Sequence, residues 1–315
     1  MAAARRYKPE KTLDAADPAP EPSDEPASIT PLGPSKSQRP WPLAVRNPGD
    51  QRAEPAASRE WSVDLQARSG QSPFPVPTPV VGALRAHSHC KEYLAVRGLA
   101  ALREAVAAYH CRTNRIDRHA ENVLTGPGSK ELMFLLQMIY YGDIVIPTPA
   151  WVSYAHQARI IGRHARWIQT RLADRWLLDA DDLERLCKGN PERPRIVVMN
   201  SPNNPTGQAY DRHAVARKYR VIVLSDEIYA EIHHEGDHLS IAEFYHEGTI
   251  ISSGLSKWCG AGGWRLGTFT FPDHLTWLLE AMAVVVSETH TATSAPIQFA
   301  AVTASRTVRS SSSTW

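Results

Sequence analysis

Apolar positions along this chain follow two different periods. Leu99, Leu102, Ala105, Val106 and Tyr109 recur at helical spacing and predict a helix through Ala100 to Tyr109. Elsewhere the apolar residues come in short unbroken runs: Ile144 to Ile146, Ile196 to Met199, Val221 to Leu224, and Ile250 with Ile251. Each run ends at Pro, Asn, Asp, Ser or Gly, which reads as a buried strand closed by a turn. Val123-Leu124-Thr125 leads into Gly126-Pro127-Gly128-Ser129, a strand, a tight turn and a helix start. Strand, turn and helix units repeat from about residue 90 to 300. Such an order predicts an α/β fold, a three-layer doubly wound and mostly parallel sheet with helices on both faces.

The ends differ from the middle. Residues 1–68 are rich in Pro, Ala, Ser, Glu and Arg and show no apolar period, so the expectation is a disordered extension. Pro73, Pro75, Pro77 and Pro79 mark an extended entry to residues 69–303, read as one large domain, with an irregular Ser-rich tail over 304–315. The formal net charge is +2, with no long run of one sign, which points to neither a nucleic-acid nor a membrane-surface partner. The start lacks the apolar core of a secretory signal, and its acidic residues argue against a transit peptide. Cys90, Cys111, Cys187 and Cys259 are scattered without a C-x-x-C pair and read as reduced thiols of a cytoplasmic protein.

Chemistry concentrates in Ser253-Gly254-Leu255-Ser256-Lys257, continuing to Gly263-Trp264-Arg265-Leu266-Gly267. Lysine is the side chain that condenses with carbonyl compounds, and arginine offers a planar fork to phosphate. One loop carrying both suggests a phosphorylated aldehyde, pyridoxal phosphate. Backbone N–H groups at the start of the helix after Gly128 are suited either to a second anion or to a plain helix cap, and no Walker A pattern is present. Asp226 closes an apolar strand, the end where ligands of open α/β sheets gather. His233, His234 and His238 beside Glu235 read as a polar loop and not as a metal site, because H-E-x-x-H and paired cysteines are both missing.

These stretches resemble, in order, the signatures of class I/II aminotransferases, the fold-type I enzymes dependent on pyridoxal phosphate. Lys91 to Leu99 is similar to the family's K-x-Y-L-x-x-x-G-L, Asn204-Pro205-Thr206-Gly207 to its N-P-T-G, and the lysine loop to S-x-S-K followed by G-W-R-x-G. The resemblance implies that Lys257 holds the cofactor as an internal aldimine. It further implies a phosphate cup of Gly128, Ser129, Lys130, Ser256 and Arg265, with Trp151 stacked on the ring. Asp226 would pair with the pyridine nitrogen, and Asn204 and Tyr229 with the phenolic oxygen. Tyr93 would reach the phosphate of a partner subunit, so a homodimer is expected, acting on amino acids and 2-oxo acids.

The chain departs from the family in three places. Gly254 stands where a phosphate-binding serine is usual, leaving Ser253 or Ser256 to replace it. The connection from Gly207 to Asp226 is short for a parallel crossover, with only Asp211 to Tyr219 for its helix. After Val302 the sequence does not continue into the small domain, which in the family carries the arginine for the substrate carboxylate. Two alternatives therefore stand beside transamination: a related lyase on the same fold, and a homologue that keeps the fold without turnover.

Overall fold

The computed structural model describes residues 70, 72–210, 219–232 and 238–307. The expected extension over 1–68, most of the short 211–219 connection, His233, His234 and the tail beyond 307 lie outside the described residues. Helices and strands follow in the order α1 (Thr78–Ala86), α2 (Ala100–Asn114), β1 (Val123–Gly126), α3 (Ser129–Ile139), β2 (Asp143–Thr148), α4 (Ser153–Ile160) and β3 (Ala165–Gln169). The order continues with α5 (Ala180–Lys188), β4 (Arg195–Asn200), β5 (Ile222–Asp226), β6 (Thr249–Gly254), β7 (Gly267–Thr270), α6 (Thr276–Thr289) and α7 (Ala295–Thr307).

The strands form one sheet in the order β1-β7-β6-β5-β4-β2-β3. Pairs β2/β3, β2/β4, β4/β5 and β5/β6 are parallel, while β7 runs antiparallel to both its neighbours. Strands β4 and β5 are buried at every position, as expected of strands covered on both faces. Alternation along the strands sends successive side chains to opposite layers. Ile222 and Leu224 join Ile196, Val198, Ile250 and Phe269 beneath α3, α4 and α6, which contribute Leu132, Tyr154 and Met282. Val223, Val197 and Met199 pack on the other side with Leu183 and Cys187 of α5. A third cluster joins Val80, Leu102 and Ala301 of α1, α2 and α7 to Leu255 and Leu266. The fold is thus the expected three-layer α/β sheet.

The tail boundary needs correction. Position 304 is not the start of an irregular segment, because α7 continues to Thr307 with Ala304 and Ser305 buried. Its small residues pack α7 against α1 and α2, and the Ser-rich composition that follows conceals this. No helix among the described residues is long and apolar enough to cross a membrane.

Candidate active site

Five strand ends converge on one cleft of about 1020 Å³. It collects the α3 N-terminus after β1, the turn after β2, the turn after β4, Asp226 at the end of β5 and the loop after β6. Parallel strands that share a direction place their C-terminal ends on one side, so residues far apart in sequence meet there. Ser129, Lys130, Trp151, Asn204, Asp226, Tyr229, Ser256, Lys257 and Arg265 all line this cleft. Of the remaining predicted residues, Gly128 is the N-cap of α3, and Tyr93 is 89% exposed and does not line the cleft of its own chain.

Lys257 Nζ donates to the Gly70 carbonyl at 2.7 Å and lies 5.5 Å from the Tyr229 ring centre. Tyr229 Oη accepts from Asn204 Nδ2 at 3.2 Å, so the two expected partners of a ring oxygen already touch. Lys130 Nζ sits 4.7 Å from the Trp151 ring centre. The Arg265 guanidinium donates to Gly262 O at 2.8 Å and to Pro127 O at 3.1 Å, which lays it against the loop before α3. Gly128 has φ +98°, and a Cβ there would collide with that guanidinium. Glycine is favoured here by that backbone conformation, since the guanidinium is the movable end of a long side chain.

Asp226 is the most constrained group in the cleft. It is 3% exposed, Oδ2 accepts from Tyr154 Oη at 2.6 Å, and Oδ1 faces the Ile228 amide and Ser252 Oγ at 3.4 and 3.5 Å. Burial raises its pKa to about 6, against the lowering influence of the Tyr154 hydrogen bond. Folded Asp226 therefore keeps its proton to higher pH than an unfolded aspartate. The native chain binds the extra proton between pH 3.8 and about 6, so this group's contribution to stability falls as pH rises through that window. Asp226→Asn removes the effect: relative to the variant, the wild-type chain is expected to lose up to about 3 kcal/mol between pH 4 and 7, read from denaturant unfolding at each pH.

Gly254 sits where its neighbours leave no room for a side chain. A Cβ at this position would lie 2.6 Å from the Leu266 carbonyl across the β6/β7 pair, so the close pairing with Gly267 excludes a side chain. Ser256 lines the cleft, whereas Ser253 borders a separate small cavity with Leu102 and Thr268. Gly254→Ser is accordingly expected to destabilise the chain by about 2 kcal/mol through overpacking, visible as a lowered Tm.

Local sequence patterns missed three features. Tyr154, whose hydroxyl holds Asp226 from 72 positions away, stood unremarked three residues after Trp151. Asn200 donates to Asp226 O at 2.8 Å and accepts from the Asn204 amide at 2.6 Å, tying two cleft segments together. A polar residue ending an apolar run was its available signal, the same one that marked Asp226. His238 lies in an irregular segment, as a polar loop would, but its side chain is only 8% exposed and its Nε2 is 3.0 Å from Glu227 Oε2. The carboxylate of Glu227 explains why an imidazole is found at that depth.

Comparison with known proteins places this arrangement. The model of the family "Aminotransferase class I and II" matches residues 65–313. An aspartate/prephenate aminotransferase of Thermus thermophilus is 32% identical over 258 residues, covering 78% of this chain and 66% of the relative. An aspartate aminotransferase of Pyrococcus horikoshii is 34% identical over 189 residues, 56% of this chain and 47% of the relative. The chain thus spans about half to two thirds of the length of these relatives. Among solved structures, the Thermus thermophilus aspartate aminotransferase with maleate superposes at a TM-score of 0.69 and 28% identity, covering 78% of this chain and 67% of that one. An alanine aminotransferase from Pyrococcus furiosus gives 0.68 at 28% identity, covering 74% and 62%. With signature residues gathered in one cleft and a family match across most of its length, this chain belongs to the class I and II aminotransferase family.

Proposed function

We propose that this chain is an aminotransferase that moves an amino group between an amino acid and a 2-oxo acid with pyridoxal phosphate, the cofactor of its family. The observation that carries the reading is the meeting of Lys257, buried Asp226 and the Asn204–Tyr229 pair in one cleft. The residues present fit the group. Ser129, Lys130 and Arg265 line the cleft together and would suit an anion, an indole flanks it at Trp151, and a carboxylate is available for a ring nitrogen.

When bound, pyridoxal phosphate supplies an aldehyde that condenses with amines and a ring that accepts the electron pair left when a substrate Cα loses its proton. Ser129 and Ser256, with the cations of Lys130 and Arg265, would hold the phosphate, aided by the α3 amides. Trp151 would pack on the ring face, and Asn204 and Tyr229 would donate to its hydroxyl oxygen. Asp226 would keep the ring nitrogen protonated, and the positive charge so held returns the Asp226 pKa toward its ordinary range. Lys257 Nζ would take the proton from the substrate Cα and return it, acting as base and then acid. Exposed Tyr93 would complete the phosphate site of a second copy, which makes a homodimer the working form.

The test is a half-reaction. The chain loaded with pyridoxal phosphate and given aspartate is expected to release the matching 2-oxo acid stoichiometrically and to change its absorbance as the amino group stays behind. Catalytic conversion of cysteine and water to pyruvate, ammonia and hydrogen sulfide without an acceptor, in a chain that yields no oxo acid from aspartate, would instead identify a lyase.

A further inference from the structure

Directly after Asp226 lies a second buried carboxylate that plays no part in the cleft. Glu227 is 3% exposed, and both of its oxygens are fully engaged. Oε1 accepts from Ser225 Oγ at 2.8 Å and Ser240 Oγ at 2.6 Å; Oε2 faces His238 Nε2 at 3.0 Å and Asn114 Nδ2 at 3.4 Å. Strand alternation puts Asp226 with Leu224 on the cleft side and Glu227 with Ser225 on the opposite side. The peptide between them is pinned as well. Asp226 O accepts from Ser201 N at 3.1 Å and Asn200 Nδ2 at 2.8 Å, and Glu227 N donates to Ser252 O at 2.9 Å.

We propose that Glu227 is a positioning residue for Asp226: a clamp on the far face of the sheet that fixes the β5 end and so aims the Asp226 carboxylate at the cofactor ring nitrogen. A buried ion pair is a weak source of stability, since apolar packing of the same volume serves as well or better. Its value here is directional. Four donors from α2, β5 and the segment after residue 237 hold one carboxylate, and a rotation of the strand end would have to break several of these bonds together. Burial works against ionised Glu227, yet His238, Ser240 and Ser225 outweigh it and leave the pKa lowered. His238 is shifted the other way: burial lowers its pKa and Glu227 raises it further. His110, the next group on α2, is pushed down to about 4 by burial and adds no competing charge.

This inference rests on the proposed cofactor reading, and its test separates the two. The apo chain is titrated with pyridoxal phosphate and with its 1-deaza analogue, in which CH replaces the ring nitrogen. Only the first ligand can engage Asp226, so the ratio of the two Kd values isolates that contact. Wild type is expected to prefer pyridoxal phosphate by at least about tenfold, the scale of a charged hydrogen bond. In Glu227→Gln the preference is expected to shrink about fivefold, and in Ser240→Ala, which removes one donor and keeps the charge, about twofold. A structural role alone weakens both ligands equally. An unchanged ratio in Glu227→Gln, or in Ser240→Ala should the glutamine variant not fold, overturns the proposal. A wild-type ratio near one overturns it too, whereas the cofactor reading itself stands or falls separately on whether Lys257 is the residue modified.

Discussion

Lys257→Ala is expected to lower kcat by on the order of 10⁴-fold or more, because it removes the amine that bonds the cofactor and the base that moves the Cα proton in one change. The loss is one of chemistry and not of folding. Lys257 extends into the cleft and, among the described residues, its hydrogen bond is to the Gly70 carbonyl, so its removal leaves no buried group among them stranded. Thermal unfolding of the variant is expected within about 0.5 kcal/mol of wild type, as for a substitution that disturbs no core packing. Lys257→Arg sharpens the test. It keeps the cation but offers a guanidinium that neither condenses with an aldehyde nor gives up its proton, and so it is expected to be as inactive as alanine.

Asp226→Ala is expected to lower kcat by about 10²–10³-fold, the range for removing one preorganised electrostatic contact to charge that develops in the reaction. Two effects add here, and they have different readouts. Loss of the carboxylate ends support for a protonated ring nitrogen, which lowers kcat and the preference for pyridoxal phosphate over its 1-deaza analogue. It also strands the buried Tyr154 hydroxyl, which costs about 1–3 kcal/mol of stability. Asp226→Asn keeps a partner for Tyr154 and separates the two. It is expected to be nearly as slow as alanine while recovering most of the lost Tm. An asparagine variant with wild-type kcat would show that the charge of Asp226 is not used.

Much of the sheet was legible because parallel strands covered on both faces are nearly continuously apolar, and the runs leading to Asn200 and Asp226 are too short for helices and stop at turn residues. Strand β7 carried no such mark. Its four residues follow the lysine loop directly, and its antiparallel direction is set by the close pairing of Gly254 with Gly267 across that loop. In the cleft, residues placed by their own strand end were readable, since chain direction alone delivers Lys257, Asn204 and Asp226 to one side. Residues that act through a distant partner were not. Tyr154 matters because of a carboxylate 72 positions away, and His238 because Glu227 is buried beneath it, and neither pairing leaves a local period in the sequence.

Gly254 illustrates the same limit in reverse. Compared with a motif it looks like a lost phosphate ligand; within the sheet it is the only residue that lets Leu266 approach, and Ser256 stands in the cleft instead. Spacing in sequence could not distinguish the two, because the deciding distance crosses a strand pair.

Reductive trapping tests directly whether Lys257 is the residue that bonds the cofactor. The purified chain is mixed with pyridoxal phosphate, its absorbance recorded, and the adduct reduced with borohydride and mapped by peptide mass spectrometry. A Schiff-base band and one modified residue, Lys257, are expected, with the label lost in Lys257→Ala. Absence of the band, with label spread over Lys91, Lys130, Lys188 and other lysines, would contradict that role for Lys257.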